Sequence, residues 1–582
     1  MKKHGDGVPP EPQVLESPGP FWTEKLYRPS GGQDHLGLGS VSSDRVLRTL
    51  APGINVLTVR PRYWSFYSFV LDEFWQRRLA RTRRSFAGFY RPCESIYAVA
   101  ANLCDQPEHE MHGPMRGVVG TDKARPYAVQ APAEFDPMYD YIDSDLGGYG
   151  LYYGTTMAAT GLVIPALPQA GVPFDAPTPA GQRAAAAFRE AIADTGYYRE
   201  YFGHPDRPVP AAVVLEYARA ACLCQLQTDD APDRPLLRDV FCYGGDPEEA
   251  ALRRATLRFF LDLSAGTDGV RIDQDTFRRL IYFRDLGDGL RYVPRAEVAR
   301  TARRWRLYQA REYYSLSLNR LWALLTAWGA GRSAAGAVSV PVADWWGWLD
   351  SALDFGTVGQ ELGAGDPGIS SSAPLADLAD WITVTAWTGA DVDDIWPQDS
   401  ALTEDRLSSW RSRLPDDPTL AAAMIILLLL IRERVGRPAR QIQIGEDIDI
   451  LAAGGAERLA MTRFFDRARR AITAGVTVGE FARSLVLDFV IRQHERVAMS
   501  KLPDDTFRFR RDGDRLRFST LRAETGFNDS RFTAVSTIVA ELGLAGGLQS
   551  ADHALNPAGT SLLTTGDLPE RPLTGADPGE RA

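Results

Sequence analysis

The chain has 582 residues and a mass of 64.1 kDa, with 65 Lys+Arg, 75 Asp+Glu and 45% hydrophobic residues. At about 100 to 200 residues per domain, this length predicts about three to five domains. The near-average composition excludes wholesale disorder, a collagen-like repeat and a disulfide-dense miniprotein. The net charge of -10 and the pI of about 5.4 exclude a nucleic-acid binder held by its whole surface, but they leave room for a local basic patch.

No segment has the pattern of a secretory signal or of a membrane span. The N-terminal segment places Gly, Pro, Asp and Glu where a signal peptide needs apolar residues, so we predict a flexible tail over 1–34. The most apolar run is Leu420 to Ile431, and its 12 residues are too few for a span, which needs about 20. We therefore predict a helix buried on all sides over 420–431, and a cytoplasmic protein without membrane contact.

Apolar periodicity predicts an aromatic-rich, mainly helical domain over 35–230. A short helix is expected over 45–50, and a core-facing helix over 63–75 that continues into the arginine-rich stretch 76–84. Tyrosines around a pair of glycines predict a tight loop within 139–154.

Helical patterns continue through the middle of the chain. They predict a helical domain over 231–415, a helical core region over 416–500 and, much later, a flexible tail over 567–582. The longest pattern keeps near-3.6 spacing over 295–328, and no strand pattern competes with it. A stretch of Gly, Ala and Ser over 329–337 predicts a hinge after this helix.

The segment 501–566 has the pattern of a winged helix. Apolar and charged residues alternate on both sides of an Asp-Gly pair, which predicts a β-hairpin over 507–518. A short helix is expected from Thr520 and a second one over about 530–542, followed by a strand and a closing helix within 553–563. The predicted fold class is therefore mainly α and multidomain, with a small C-terminal domain built on a hairpin and a winged-helix-like arrangement.

This spacing resembles the helix-turn-helix of bacterial winged-helix proteins, whose second helix lies in the major groove of DNA. The resemblance implies that polar residues of the second helix are exposed to phosphates or base edges, while hairpin arginines neutralise further phosphates. Residues 432–531 contain 20 Lys+Arg and 15 Asp+Glu, so the excess negative charge of the chain lies outside this window. Within the window, Arg463, Arg467 and Arg470 share one helical face. A winged helix used only for protein packing is the alternative. The predicted DNA-contacting residues are Arg508, Arg510, Arg515, Arg517, Asn528, Ser530, Arg531, Thr533 and Thr537.

Acidic clusters and a histidine pair are the candidates for metal chemistry. Asp140, Asp143 and Asp145 lie beside the glycine pair, and they support the alternative of a metal-dependent nuclease. Helix caps and solvated turns explain short acidic clusters equally well, and no P-loop, zinc-protease or serine-hydrolase motif occurs. We therefore predict no metal site and no cofactor. The remaining candidate positions are His109, His112, Asp391, Asp393, Asp394, Glu446, Asp447 and Asp449.

The cysteines are odd in number, and no pair has the CxxC spacing of a zinc or redox site. Reduced thiols in a cytosolic protein are therefore expected. The five cysteines are Cys93, Cys104, Cys222, Cys224 and Cys242.

Three segments of the N-terminal part carry a family likeness: LGLGSVSSDRVLRTLAPGINVLTVRPRYWSFYSFVLDEF (36–74), ESIYAVAANL (94–103) and SDLGGYGLYYG (144–154). Together they resemble an uncharacterised family of large bacterial proteins whose genes tend to lie beside helicases, methyltransferases or nucleases in phage-defence clusters. The resemblance covers about the first 160 residues and implies a component of a nucleic-acid or defence complex. That family has no known catalytic residue to carry over.

The function expected from these observations is that of a non-enzymatic component of a cytoplasmic bacterial multiprotein system. It would contact DNA through the C-terminal winged-helix-like domain, and its predicted partners are double-stranded DNA and other proteins of the complex. A metal-dependent nuclease and a pure protein scaffold are the two alternatives.

Overall fold

The computed structural model describes residues 34–106, 117–170, 172–267, 269–287, 290–334, 339–386, 389–411, 417–502, 506–519 and 525–569. Helix accounts for 62% of the structure and strand for 5%, so the chain is mainly α and multidomain, as predicted.

The first half of the described chain consists of helices with short antiparallel strand pairs between them. β1 pairs with β4, and β2 pairs with β3. The elements are α1 Leu38–Val41, α2 Leu47–Leu50, α3 Arg62–Gln76, α4 Arg83–Leu103, α5 Thr121–Val129, β1 Glu134–Phe135, α6 Gly154–Ala159, β2 Val163–Ile164, β3 Ala176–Pro177, α7 Pro179–Ile192, β4 Val209–Pro210, α8 Ala211–Ala221, α9 Arg234–Tyr243 and α10 Pro247–Gly266.

The second half is built around one long helix, and it ends in an antiparallel sheet of strand order β5-β7-β6 and two further helices. The elements are α11 Gln274–Phe283, α12 Ala299–Ala334, β5 Val340–Pro341, α13 Val342–Ala352, α14 Phe355–Leu362, α15 Leu375–Thr385, α16 Glu404–Ser409, α17 Thr419–Ile431, α18 Pro438–Ile444, α19 Asp449–Ala452, α20 Met461–Thr473, α21 Val478–Leu485, α22 Arg492–Met499, β6 Phe509–Asp512, β7 Arg515–Phe518, α23 Phe532–Glu541 and α24 Pro557–Thr565.

Side-chain caps fix where several helices begin. The Thr82 hydroxyl accepts a hydrogen bond from the backbone N–H of Ser85 at the start of α4, and Asp246 accepts from two N–H groups at the start of α10. At the start of α21, Thr477 and Glu480 satisfy each other's backbone N–H groups in a capping box. Each cap pairs N–H groups that the first helical turn leaves without an intrahelical partner.

The predicted helix at 420–431 is confirmed. α17 runs from Thr419 to Ile431, every residue from Leu420 onward is buried, and the helix packs against α12, α14 and α16. A helix without a polar face is stable only when other helices surround it. α12 and α17 therefore form the centre of the helical core.

The chain between α3 and α4 differs from the prediction of one helix continuing through 76–84. α3 ends at Gln76, and Arg77 is in an extended conformation. The guanidinium of Arg81 folds back and donates hydrogen bonds to the carbonyls of Phe74, Trp75 and Arg77. Because these bonds satisfy carbonyls at the helix end, the arginine-rich stretch terminates α3 rather than extending it.

The hinge predicted from residue 329 is also wrong over the residues that the structure describes. α12 continues through Gly329 to Ala334. A Cβ at Gly329 would lie 2.4 Å from atoms of the Phe518 ring, so the missing side chain admits the hairpin against the helix. This glycine serves close packing rather than flexibility.

Helical structure in the N-terminal part is more extensive than expected. A π-helix at Ser42–Val46 joins α1 to α2, so the helical segment begins well before the predicted residue 45. A second π-helix, Tyr149–Tyr153, leads into α6 and occupies the end of the stretch predicted as a loop.

The C-terminal elements match the expected order and pack into the rest of the chain. The hairpin forms as predicted, and β5 pairs with β7, which adds a strand from a distant part of the sequence. α23 and α24 confirm the second and closing helices, whereas the expected helix from Thr520 falls outside the described residues. The Phe532 ring of α23 lies 4.7 Å from the Phe277 ring of α11 and 6.1 Å from the Phe260 ring of α10.

Candidate functional site

The second helix of the predicted helix-turn-helix is buried, which corrects the expectation that its polar residues face DNA. Ser530 is 1% exposed and Arg531 is 9% exposed. The Arg531 guanidinium donates hydrogen bonds to the carbonyls of Ser43 at 2.7 Å and of Leu47 and Ala51 at 3.1 Å each. Arg531 therefore joins the C-terminal helix to the N-terminal helical segment.

The other predicted residues of this helix are held by protein contacts as well. Asn528 donates its backbone N–H and its side-chain amide to Glu312 Oε2, each at 3.0 Å. Thr533 is half-buried and accepts a hydrogen bond from the Gln549 amide, and Thr537 is half-buried too. A helix enclosed in this way has no face to lay into a major groove.

The hairpin differs from the second helix, because three of its four predicted DNA-contacting arginines are exposed. Arg510 and Arg517 are cross-strand partners, and Asp512 and Arg515 form the next cross-strand pair on the same face of the sheet. Alternate residues of a strand share a face, so these four exposed side chains occupy the outer face of the sheet, with a net charge of +2. We call this surface the outer arginine face.

The outer arginine face is fixed by local contacts. The Arg515 guanidinium donates to the hydroxyl and carbonyl oxygens of Ser339, at 2.9 and 2.8 Å. The Arg510 guanidinium lies 4.8 Å from the centre of the Phe507 ring. Arg517 has no ion pair within the residues that the structure describes.

Arg508 departs from the prediction, since this residue, which directly precedes β6, is only 5% exposed. Its backbone N–H donates to His494 Nε2 at 2.9 Å. Burial is the first cause that lowers the pKa of His494, to about 4, so this imidazole is neutral near pH 7 and accepts the bond.

The arginines of α20 and the outer arginine face are not joined into one basic surface by the second helix, because that helix, α23, is buried. Arg467 forms an ion pair with Asp488 at 2.7 Å, and Arg463 donates to the carbonyl of Ala456 at 3.0 Å. Arg470 is exposed on the same helix.

The aspartates of the nuclease alternative do not form a metal centre. Asp140, Asp143 and Asp145 are all exposed, and their carboxylates do not come within 4.8 Å of one another as a group. Asp140 is paired with Lys123 at 2.6 Å, and this bond lowers the pKa of the carboxyl below its usual value. A two-metal or one-metal phosphodiesterase needs convergent carboxylates, so this alternative loses its site.

The remaining acidic clusters belong to ion-pair networks with arginines. Asp393 binds Arg284 at 3.2 Å and also Arg303, and Asp447 binds Arg300 at 3.0 Å and Arg304 at 3.1 Å. The positive charges of these arginines disfavour a cation there. His109 and His112 lie outside the described residues.

The family-like segments meet around a buried carboxylate. Glu94 is fully buried and accepts hydrogen bonds from the hydroxyls of Tyr67 and Tyr141 and from the backbone N–H of Gly148. A Cβ at Gly147 would lie 2.0 Å from Glu94 Oε2, and this residue has φ +47, so the glycine pair allows the loop to close on the carboxylate. Burial raises the pKa of Glu94. These motifs thus explain the folding of this region.

A cluster of three thiols was missed by the sequence reasoning. Cys104 follows the last residue of α4, Cys222 follows the last residue of α8, and Cys224 lies in the next turn of 3₁₀ helix. The three Sγ atoms all lie within 4.8 Å of one another, and the Sγ atoms of Cys104 and Cys224 are 3.6 Å apart. In the part of the chain that the structure describes, no other group of His, Cys, Asp and Glu ligand atoms converges in this way.

The cluster is buried on one side and open on the other. Cys222 and Cys224 are fully buried, whereas Cys104 is half-exposed. Hydrogen bonds from the Cys222 and Cys224 thiols lower the pKa of Cys104 to about 4, whereas hydrogen bonds with Cys104 and Cys224, together with burial, raise the pKa of Cys222. The buried Arg62 donates to the carbonyl of Cys222 at 2.7 Å. None of the five cysteines, all of which the structure describes, forms a disulfide.

The only sequence signal for this cluster was the Cys-Leu-Cys spacing at 222–224, because Cys104 lies far away in the sequence. α4 and α8 pack side by side and bring their C-terminal ends together. The packing of these two helices, rather than a local motif, assembles the cluster.

Comparison with known proteins gives no family for the chain: no family model, no curated protein and no solved structure matches it. Among the helices of the described ranges, none is long and apolar enough to cross a membrane.

Proposed function

We propose that the chain is a non-enzymatic component of a bacterial multiprotein system that contacts nucleic acid through the phosphate backbone. The observation that supports this proposal is the outer arginine face, formed by Arg510, Arg515 and Arg517 around a single aspartate. Arginine forks suit phosphate oxygens, and a rigid sheet holds them at fixed spacing. The association with other proteins follows from the family resemblance of the N-terminal segments.

The buried second helix limits the kind of contact that this function involves. Direct readout of sequence requires side chains that reach base edges in a groove, and Ser530 and Arg531 are instead enclosed by protein. Contact through phosphates alone carries no sequence information. We therefore expect binding that depends on salt and discriminates little between sequences.

A salt series tests this function. Binding of the full-length protein to a fluorescent random duplex is measured by anisotropy, next to a triple variant with Arg510→Ala, Arg515→Ala and Arg517→Ala. If each arginine neutralises one phosphate, the slope of log K against log salt becomes smaller by about 2.7 in the variant. Affinity at low salt falls in parallel.

The matched control removes the same charge elsewhere. Arg125 of α5, Arg183 of α7 and Arg271 of the loop before α11 are exposed, and none has an ion pair among the described residues. Their triple alanine variant should keep the wild-type slope. Duplexes of unrelated sequence should differ in affinity by less than about tenfold, far below the 10³ to 10⁷ of specific binders.

Three results would contradict the function. An unchanged slope in the hairpin variant would remove the outer arginine face from the interface, and absence of binding at low salt would favour the pure scaffold. A preference of a thousandfold for one duplex would require a base-reading element and refute contact through phosphates alone.

A further inference from the structure

The three-thiol cluster of Cys104, Cys222 and Cys224 has the dimensions of a tetrahedral metal site. Zinc binds thiolate sulfur at about 2.3 Å, which places two sulfur ligands of a tetrahedron about 3.8 Å apart. The observed separation of 3.6 Å between the Cys104 and Cys224 sulfurs fits this value, and the third sulfur lies within 4.8 Å of both. Small side-chain rotations would bring all three sulfurs to one ion.

The position of the cluster in the fold favours a cation over a reactive thiol. α4 ends at Leu103 and α8 ends at Ala221, so Cys104 and Cys222 each directly follow a helix C-terminus. The helix dipole is negative at that end and stabilises cations there. Cysteines that a helix dipole activates lie at the opposite end, at helix N-termini.

Neighbouring groups are suited to hold ligands in place. The Gln225 amide donates to Cys224 Sγ at 3.5 Å, and Arg62 orients the Cys222 backbone through its carbonyl. Arg62 is itself held by Asp233 at 3.4 Å. Such contacts around metal ligands fix their geometry and raise the affinity of the site.

We propose that Cys104, Cys222 and Cys224 bind a divalent ion of the zinc class and thereby clamp the end of α4 to the end of α8. On binding, three sulfur–metal bonds form, the S–H bonds of those thiols that are still protonated break, and their protons are released to solvent. The fourth coordination position lies on the side of the half-exposed Cys104. Thiolate-rich sites select zinc over magnesium or calcium because sulfur is a soft ligand.

The first test is metal content and coordination. The full-length protein, purified with reductant and without chelator, should hold close to one zinc per chain. After removal of the metal, titration with Co²⁺ should give the sulfur-to-cobalt charge-transfer absorption and the strong visible bands of a tetrahedral thiolate site. An ion bound in this way should also protect three of the five thiols from alkylation.

The variants locate the site. Cys104→Ser and Cys224→Ser should each lower the affinity for Zn²⁺ by about 100-fold or more, since loss of an outer contact alone already costs 10- to 100-fold. Cys242→Ser is the matched control, because Cys242 is a buried free thiol in α9, outside the cluster. Circular dichroism checks that each variant is folded, and Cys104→Ser alters only a half-exposed position.

Three outcomes would overturn the proposal. One is a protein that takes up neither Zn²⁺ nor Co²⁺, and another is metal uptake that both serine variants retain. In a third outcome, mild oxidation removes two thiols, reductant restores them, and added metal does not protect them from oxidation. That result would identify Cys104 and Cys224 as a redox pair instead. None of these outcomes depends on nucleic-acid binding, so this test is independent of the proposed function.

Discussion

Replacement of Arg531 by alanine separates a structural role of this residue from a DNA-reading role. Its guanidinium donates three hydrogen bonds to backbone carbonyls of the N-terminal helical segment, within a site that is 9% exposed. At about 1 kcal/mol of net stability for each buried hydrogen bond, Arg531→Ala should lower the free energy of unfolding by about 3 kcal/mol. Arg531→Lys should recover about 1 kcal/mol of this loss, because an ammonium group cannot reproduce the planar fork.

Urea unfolding compares Arg531→Ala with Arg517→Ala, which removes the same side chain from the outer arginine face. The exposed substitution should change stability by no more than about 0.5 kcal/mol. Hydrogen exchange gives a local readout: amides of residues 43–54 should exchange faster in Arg531→Ala and remain at wild-type rates in Arg517→Ala. Duplex binding should show the reverse order, with the larger loss in Arg517→Ala.

The structural assignment would be refuted by an Arg531→Ala protein that is as stable as Arg517→Ala and yet has lost its affinity for DNA. That result would mean that the guanidinium is free in solution and available to phosphates or bases. A stable variant with unchanged binding would instead show that the three carbonyls find other donors.

Two further predictions concern buried ionisable groups. Burial, together with the positive charges of Arg508 and Lys501, lowers the pKa of His494 to about 4, below the value of about 6.5 in an unfolded chain. The unfolded chain therefore binds the proton first, and the free energy of unfolding should fall by about 3 kcal/mol as the pH falls from 6.5 to 4. Urea unfolding at several pH values should show this dependence in the wild type and a weaker one in His494→Phe. An equal pH dependence in the two proteins would contradict the prediction. Arg311 is 0% exposed, and its three guanidinium nitrogens have no hydrogen-bond partner among the described residues. Arg311→Met should therefore raise the unfolding free energy by about 1 to 4 kcal/mol, whereas a loss of stability on this substitution would reveal a partner that binds the guanidinium.

Local patterns predicted the elements whose stability depends on local composition. The run 420–431 has no polar face, so burial on all sides was the one stable solution, and α17 confirms it. The hairpin at 507–518 follows from alternation around a tight turn, in which Gly513 has φ +60. Neither inference needed knowledge of the surroundings.

Tertiary contacts decided the points at which the predictions were wrong. The end of α3 depends on Arg81 folding back onto three carbonyls, and composition alone gives no sign of this contact. The burial of Arg531 depends on a helical segment almost five hundred residues earlier in the chain. The polar residues of a helix in a helix-turn-helix pattern are predicted to be exposed until the neighbours of that helix are known.

The two candidate sites differ in the same way: one depends on local sequence and the other on tertiary contacts. The outer arginine face could be predicted from period-two alternation, because it needs only the two strands of one hairpin. The three-thiol cluster required the packing of α4 against α8, which places Cys104 beside Cys222 although more than a hundred residues separate them. Long-range assembly of a site leaves no spacing motif in the sequence.

The attachment of the N-terminal helical segment to the C-terminal elements has a consequence for synthesis of the protein. Arg60 forms an ion pair with Glu541, and Gln493 donates to the carbonyl of Leu36 at 2.9 Å, so the chain on both sides of this segment contacts residues that are translated more than 450 positions later. At about 5 to 20 residues per second, the ribosome leaves this segment waiting for about 25 to 100 seconds. Throughout that interval the carbonyls of Ser43, Leu47 and Ala51 lack the Arg531 guanidinium that pairs them in the finished protein, so the nascent chain depends on chaperones or on transient contacts within its own first domain. A chain truncated before Arg531 would leave these three carbonyls without this partner permanently.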